Sequence, residues 1–403
     1  MVLSLAAFGA CSIVSLNKKG AAVQKETVEI PQTALITPTA PIAVVSHGGR
    51  AKCLQRLARL ELPVPRTVAL SFDAVHAIAQ GEMVDLDAIL SEFPEDAILC
   101  ARPSSEDPDW GGPGAILNIG MNDARFVSLS DKLGKEAASA LYLRFVQAYA
   151  VHVARLDPDV FEDVEDGGPD ALSEVLHAYE AEAAEPFPQN RGEQLAAVLR
   201  SMARAWEGTT ARLLREAKGA PADAGLGLIV QEMALGLGQG ECGSGVMQLA
   251  NSQTGEPQIT GRYLSQSQGR DALGGGDAAM FLARDNRGPS LEDEAPEAFA
   301  ALCRHAALMR KRLREEMQVE FVIDRNAVHI LDGVRIQRSA RAAVKIAVRL
   351  AEDGVISAEE ALMRVDAHAL NELLHRQVAP DAVRDVLGCG IAASPGAARG
   401  KLV

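Results

Sequence analysis

Aromatic residues are scarce in this 403-residue chain, at 4%, and positive charge is the minority sign, with 40 Lys+Arg against 54 Asp+Glu. A formal net charge of −14 leaves no general surface for a polyanion, and so few rings give unstacked bases little to lie on. Nucleic acid is therefore excluded as a leading partner, and any phosphate held here must sit in a local positive pocket. A CxxC pair is also missing. The six cysteines, Cys11, Cys53, Cys100, Cys242, Cys303 and Cys389, are far apart with no histidine at ligand spacing beside them. They read as reduced thiols of a cytoplasmic chain. The nearly uncharged stretch from Val2 to Leu16 is short for a membrane span, and Lys18-Lys19 follows it, the reverse of a signal peptide's charge order. No membrane partner is expected.

What the chain does have is length and apolar content. With 48% hydrophobic positions it supports two or three domains, each with its own core. Residues 1–41, with Pro31, Pro38 and Pro41 among Thr and Ala, hold no persistent period and read as a flexible arm. From His47 the sequence turns globular. Gly48-Gly49-Arg50-Ala51-Lys52 opens a helix with Leu54, Leu57 and Leu60 on one face, ended by Pro63 and Pro65. Strands are expected at Thr67–Phe72 and Ala97–Ala101, then a loop from Pro103 to Gly114. Helical spacing covers Ser130–Arg155 and Glu193–Lys218. Between them lies an acidic stretch, Asp157–Asp166, that lacks the oxygen spacing of a calcium loop.

Further strands are expected at Leu226–Met233, Gly243–Leu249, Gln258–Leu264, Glu320–Ile323 and Val328–Leu331. Gly274-Gly275-Gly276 resembles a phosphate loop only in composition, and Arg304, Arg310, Lys311, Arg312 and Arg314 read as a solvated helix face. Helices at Ala340–Glu352, Ala361–Val365 and Ala367–His375 close the pattern, the second opened by a capping box of Ser357 and Glu360. This order of elements is α+β rather than a regular βαβ repeat.

Colinear blocks carry a family resemblance. They include Leu62-Pro63-Val64-Pro65, Ile116 to Asp123, Arg144-Phe145-Val146-Gln147, Phe187-Pro188-Gln189, Gly243-Ser244-Gly245-Val246, Thr254-Gly255-Glu256, Glu320-Phe321, Arg338 to Gln377 and Ala393 to Ala398. In these the chain resembles the N-terminal half of the pyruvate, phosphate dikinase family. The resemblance implies an ATP-grasp-like nucleotide-binding region at 42–335, with subdomains near 42–125, 126–220 (helical) and 221–335. It further implies a helical linker at 336–380 and the truncated entrance to a phosphohistidine-type domain at 381–403. The family's phosphohistidine motif matches none of the eight histidines, and the stretch that carries the resemblance ends at Val403, short of the family's barrel. Catalytic residues are therefore not assigned.

The resemblance also implies a nucleotide site, and it carries over position by position. The family's glycine-loop lysine falls on Arg50, with Lys52 two residues on, and its strand arginine is kept as Arg102. Its acidic pair falls on Gln318 and Glu320. A Gln-Thr-Arg-Asn segment becomes Asp332-Gly333-Val334-Arg335, so Asp332 and Arg335 join the candidates. Arg50, Lys52, Arg102 and Arg335 would face the phosphates of ATP, and Glu320, Gln318 and Asp332 would hold Mg²⁺. Departures accompany these matches. A loop arginine becomes Glu106 beside Asp107 and Asp109, placing carboxylates where ATP would be repelled. A second arginine becomes Ala250 and a glutamate becomes Arg262. Two readings result: an ATP-binding, phosphotransferase-type half-site with weakened groups, and a pseudoenzyme that pairs with a complete dikinase or a separate phosphohistidine domain.

Overall fold

The computed structural model describes residues 32–162, 170–268 and 278–367, together with 370 and 373. It divides into two compact units, Met1–Ala234 and Leu235–Val403, each pairing helices with one antiparallel sheet. This is the α+β class the sequence implies.

The first unit holds five strands: β1 (Thr33–Leu35), β2 (Thr67–Leu70), β3 (Leu99–Ser105), β4 (Ile116–Ile119) and β5 (Leu226–Glu232). They lie in the order β1-β2-β5-β3-β4, and every pair is antiparallel. β5 is central because its run Leu226-Gly227-Leu228-Ile229-Val230-Gln231 is buried throughout, as a strand covered on both faces must be. β1 corrects the expectation of an arm reaching residue 41. Three residues are too few to show a period, yet they pair with β2, Thr33 opposite Leu70 and Leu35 opposite Val68. The loop expected from Pro103 likewise begins later. Pro103, Ser104 and Ser105 stay in β3 because β5 offers Leu228, Gly227 and Leu226 opposite them. A long neighbouring strand overrides turn-forming composition.

Nine α-helices of this unit are described: α1 (Val44–Arg59), α2 (Phe72–Ala79), α3 (Leu86–Ser91), α4 (Asp123–Leu133), α5 (Lys135–Tyr149), α6 (Asp159–Glu162), α7 (Ala171–Ala183), α8 (Arg191–Glu207) and α9 (Thr209–Ala217). Two stretches expected to be single helices are split by glycine. Gly134, at φ +93°, separates α4 from α5, and Gly208 separates α8 from α9. Phe187, which precedes α8, is the hub of a ring cluster. The centroids of Tyr142, Phe145, Tyr149 and Tyr179 lie 5.2 to 5.8 Å from its own, all edge-on. Each such pair contributes about 0.5–1.5 kcal/mol beyond area burial.

The second unit contains β6 (Gly243–Ala250), β7 (Pro257–Ser265), β8 (Met317–Asp324) and β9 (Ala327–Arg335) in the order β7-β6-β8-β9. Its helices are α10 (Leu291–Glu294), α11 (Pro296–Leu313), α12 (Ala340–Glu352) and α13 (Ala358–Met363). One face of the sheet carries Met247, Tyr263, Val319, Phe321 and Ile323, all buried. α11 buries Ala298, Leu302, Ala306 and Met309, spaced four, four and three apart, and packs on this sheet. Gly245 lies between Tyr263 and Phe321 in one cross-strand row, and their rings stack at 6.2 Å and 5°. A Cβ on Gly245 would come within 2.6 Å of Phe321 Cζ.

α12 and α13 pack around Ala250 and Ile336 through Ala342, Ile346, Ala347, Leu350 and Ala361. The serine half of the expected capping box forms, Ser357 Oγ accepting the Glu360 N–H at 3.1 Å, while the Glu360 carboxylate turns to Arg314 and Arg364 instead. Ion pairs tie these helices to α11: Arg310 reaches both Glu316 and Asp353, and Arg314 pairs with Glu360. Two of the five basic residues read as a solvated face thus hold helices together. The Gly274–Gly276 run, the 381–403 segment and residues 163–166 of the acidic stretch lie outside the described residues, as does most of the helix expected at Ala367–His375.

Candidate functional site

In the first unit the candidate cations gather where α1 begins on β3. α1 is kinked at Gly48, whose φ of +84° lies in the left-handed region. A Cβ there would sit 1.7 Å from the Ser104 carbonyl oxygen, and one on Gly49 would lie 3.2 Å from that of Glu106. The glycine turn is thereby pressed onto the end of β3. Ser104 Oγ fixes both sides of the kink. It donates to the His47 carbonyl at 2.7 Å and accepts the Ala51 N–H at 3.0 Å, the role of a helix cap supplied from another element. His47 is fully buried, with Nδ1 2.9 Å from Ser46 Oγ, and burial lowers its pKa.

Arg102 lies on the same face of β3 as Cys100 and Ser104, and is 9% exposed. Burial pushes the Cys100 thiol up to about 11, opposed by the positive charges of Arg102 and Arg50. Arg50 is held against the same strand, one residue along from Arg102. Arg50 donates to the Pro103 carbonyl. Lys52 is directed elsewhere. Its ammonium donates to the Ile42 carbonyl and to Gln55 Oε1, both at 2.7 Å, so it fastens the chain ahead of α1. Its pKa is lowered, by burial first and then by Arg59 and Arg56. Of the acidic loop, Glu106 is half-buried and Asp107 and Asp109 are exposed. Asp107 accepts the Asp109 N–H at 2.9 Å and so caps its own short turn.

In the second unit the acidic candidates share the other face of the sheet. The register sets Arg262, Val246, Glu320 and Asp332 in one row across β7, β6, β8 and β9, with Gln248, Gln318 and Val334 in the next row on that face. Glu320 is 5% exposed and Asp332 fully buried. Gln318 Oε1 accepts from Gln248 Nε2 at 2.7 Å, and Asp332 Oδ1 accepts the N–H of Gly333 at 2.8 Å. A bulge produces this alignment: Phe321 faces Ile330 but Glu320 faces Asp332, leaving Leu331 as the extra residue.

Arg335 is not brought to this row. It sits opposite Met317, on the reverse face, and pairs with Glu315 at 3.2 Å. Arg338 and Arg364 share that carboxylate. Arg262 holds its guanidinium over the Phe281 ring, 4.2 Å from the centroid. Ala250, where the resemblance expected an arginine, is 3% exposed within the apolar cluster under α12.

Two further participants escaped the sequence reading, Ser104 and Gln248. Ser104 carried no signal beyond its place in an expected loop; Gln248 lies one side-chain step from Val246 in a quoted block. Two carboxylates and an amide oxygen are enough for Mg²⁺ only when phosphate oxygens complete the shell. Among the described residues no group of three His, Cys, Asp or Glu is arranged to hold a metal ion alone. No helix among them is long and apolar enough to cross a membrane. Cys53, Cys100, Cys242 and Cys303 are thiols, not disulfides.

No family model matches the chain. Curated relatives do. It is 33% identical over 400 residues to pyruvate, phosphate dikinase of Rhizobium meliloti, covering 88% of this chain and 44% of the relative. With the protein of that name from Clostridium symbiosum it is 31% identical over 394 residues, with the same coverage. With the chloroplastic one from Flaveria pringlei it is 25% identical over 393 residues, covering 40% of that protein. The chain spans less than half the length of these relatives.

Proposed function

Because the chain is related to pyruvate, phosphate dikinases along 88% of its length, we propose that it is an ATP-binding, phosphotransferase-type half-site with an ATP-grasp-like arrangement. The observation that carries this reading is the sorting of charge. The family's retained or replaced cations, Arg50 and Arg102, lie at neighbouring points of β3 beside a glycine turn. The retained or replaced oxygen donors, Gln318, Glu320 and Asp332, share one sheet face. Phosphate recognition needs the first set and a divalent cation the second. Arg102 and Arg50 would neutralise the polyphosphate, while the Gly48-Gly49 turn lets backbone approach closely at a helix start. Glu320 and Asp332, with the Gln318 amide, would hold Mg²⁺. That ion, when bound, supplies charge neutralisation at the phosphate oxygens. A phosphoryl acceptor would be a histidine on a carrier domain or on a full-length dikinase.

Calorimetry with Mg-ATP tests this. Arg102→Met and Glu320→Gln should each weaken binding by about ten-fold or more, the scale of one charged hydrogen bond, while Lys52→Met stays within about two-fold because its ammonium is spent on Ile42 and Gln55. Absence of Mg-ATP binding by the parent protein removes the reading.

A second reading, a binding or regulatory module that has kept the scaffold without turnover, is favoured by Ala250. Its position is walled by Ile346 and its neighbours, so the arginine of the family's pattern has no counterpart there. Phosphoryl exchange between ATP and AMP, assayed with and without an added phosphohistidine domain, separates the two. Nucleotide binding without exchange in either assay supports the module.

A further inference from the structure

The face of the second sheet that carries Glu320 and Asp332 extends beyond β7. Tyr263 and Met280 exchange both backbone hydrogen bonds, at 3.1 and 2.7 Å, which lays the chain at Met280 antiparallel beside β7. That register sets Phe281 opposite Arg262, so the row across the face runs Phe281, Arg262, Val246, Glu320 and Asp332. One end is a cation against a ring, and the other is a pair of buried carboxylates. Val246, 3% exposed, separates them and offers no polar side-chain atom. Two strand spacings put the Cα atoms of Arg262 and Glu320 about 10 Å apart.

The state of Arg262 singles out this row. Two guanidiniums lie over the Phe281 ring, Arg262 at 4.2 Å and Arg287 at 4.7 Å from its centroid. Arg287 is exposed and spent on Asp285, to which it donates from Nε at 2.8 Å and from Nη2 at 2.6 Å. The Asp285 carboxyl is pulled down to about 2, first by those hydrogen bonds and last by the charge of Arg262. Arg262 itself is half-buried and forms no ion pair among the described residues. Its Nη1 donates to the Ala279 carbonyl at 3.3 Å. Ring and carbonyl fix a positive charge on this face without neutralising it.

We propose that this row takes a divalent cation only as its polyphosphate chelate, and that Arg262 enforces the pairing. The proposal rests on the nucleotide reading above and adds to it a phosphate contact belonging to the second unit. Arg262 repels a bare dication approaching Glu320 and Asp332, and the two carboxylates repel a bare polyphosphate approaching Arg262. A chelate satisfies both ends at once, its metal turned to the acidic end and its phosphate oxygens to the guanidinium. Arginine suits this position because a planar guanidinium can stack on a ring and still point N–H groups at an anion.

Two calorimetric titrations of the full chain test this, one with Mn²⁺ alone and one with inorganic triphosphate in the presence of Mg²⁺. Arg262→Met should move them in opposite directions. Mn²⁺ alone binds about three-fold tighter or more, the effect of removing one charge at that separation, while the chelate binds about ten-fold weaker, the loss of one charged hydrogen bond. Arg262→Lys keeps the charge and should leave Mn²⁺ binding at the parent's level. Phe281→Leu keeps the charge without the ring and should weaken the chelate by about three-fold. Arg287→Met removes a charge already paired and should change neither titration. Loss of affinity in both titrations of Arg262→Met would make that side chain a structural tether and overturn the proposal. An equal response in Arg287→Met overturns it too, as does parent binding of Mn²⁺ alone as tight as in the presence of triphosphate. Circular dichroism of each variant confirms that the fold persists. Mg-ATP calorimetry separates the two proposals: parent binding that is indifferent to Arg262→Met removes this one and leaves the nucleotide reading standing, whereas no parent binding removes both.

Discussion

The two units place charged groups by different means. In the first, backbone decides: a left-handed glycine, a serine bridging the kink, and carbonyls of Pro103 and Ile42 that hold Arg50 and Lys52. In the second, strand register decides: Gln318, Glu320 and Asp332 share a face because of which residues pair across β8 and β9. A long cation on a flexible stem needs anchoring to be aimed, whereas a short carboxylate goes where its Cα goes. The contrast teaches that similar demands on precision are met by turn chemistry in one sheet and by pairing in the other.

The contrast is broken hardest at its glycines. Gly48→Ala combines a forbidden φ with a Cβ 1.7 Å from the Ser104 oxygen, and should cost the first unit about 3 kcal/mol or more, read as a fall in the urea midpoint. Gly245→Ala keeps an allowed extended backbone and meets only the Phe321 ring and the Arg262 carbonyl, so about 1–3 kcal/mol is expected. Equal losses at the two would mean that turn geometry has no special part in the first unit.

Ser104→Ala is a milder break. It orphans the Ala51 N–H and the His47 carbonyl, costing about 1–2 kcal/mol, and it should lower Mg-ATP affinity through misplacement of Arg50 while leaving the second unit's unfolding unchanged. Ser104→Thr, which keeps the hydroxyl, is the sharper control: restored affinity assigns the loss to the hydroxyl bridge.

The smallest effect is electrostatic. Cys100 is raised from 9.0 to about 11, so its buried thiol contributes stability below pH 9 that is lost as pH rises through 11. Cys100→Ala should flatten that part of the alkaline limb in a pH series of melting temperatures. Arg102→Met removes a charge that favours the thiolate and should push the thiol higher still, slowing its alkylation at pH 9 relative to the parent. Faster alkylation would place Arg102 away from the thiol.

Much of this was legible in residues. β5, β6 and β7 follow from apolar runs bounded by glycine, and α13 from Ser357 and Glu360. The α+β class follows from their order. β1 was hidden because three residues have no period, and Ser104-Ser105 because strand propensity is low while the pairing partner lies more than a hundred residues away. The splits at Gly134 and Gly208 were local signals that a long amphipathic pattern outvoted. Arg310 and Arg314 looked solvated because Asp353 and Glu360 are distant in sequence.

For the candidate site, identity was readable and orientation was not. Asp332 and Arg335 are three apart, so simple alternation puts them on opposite faces without saying which one meets Glu320. That choice belongs to Leu331. Were β9 regular, odd-numbered residues would face Glu320, and the strand would show it Leu331, Gly333 and Arg335 in place of Asp332 and Val334. One surplus residue thus acts as a polarity selector: bulged out, Leu331 leaves an acid on that surface, and paired into the ladder it would put a base there, with every letter of the strand unchanged. Charge in this sheet is in that sense written in the counting of residues as much as in their kind.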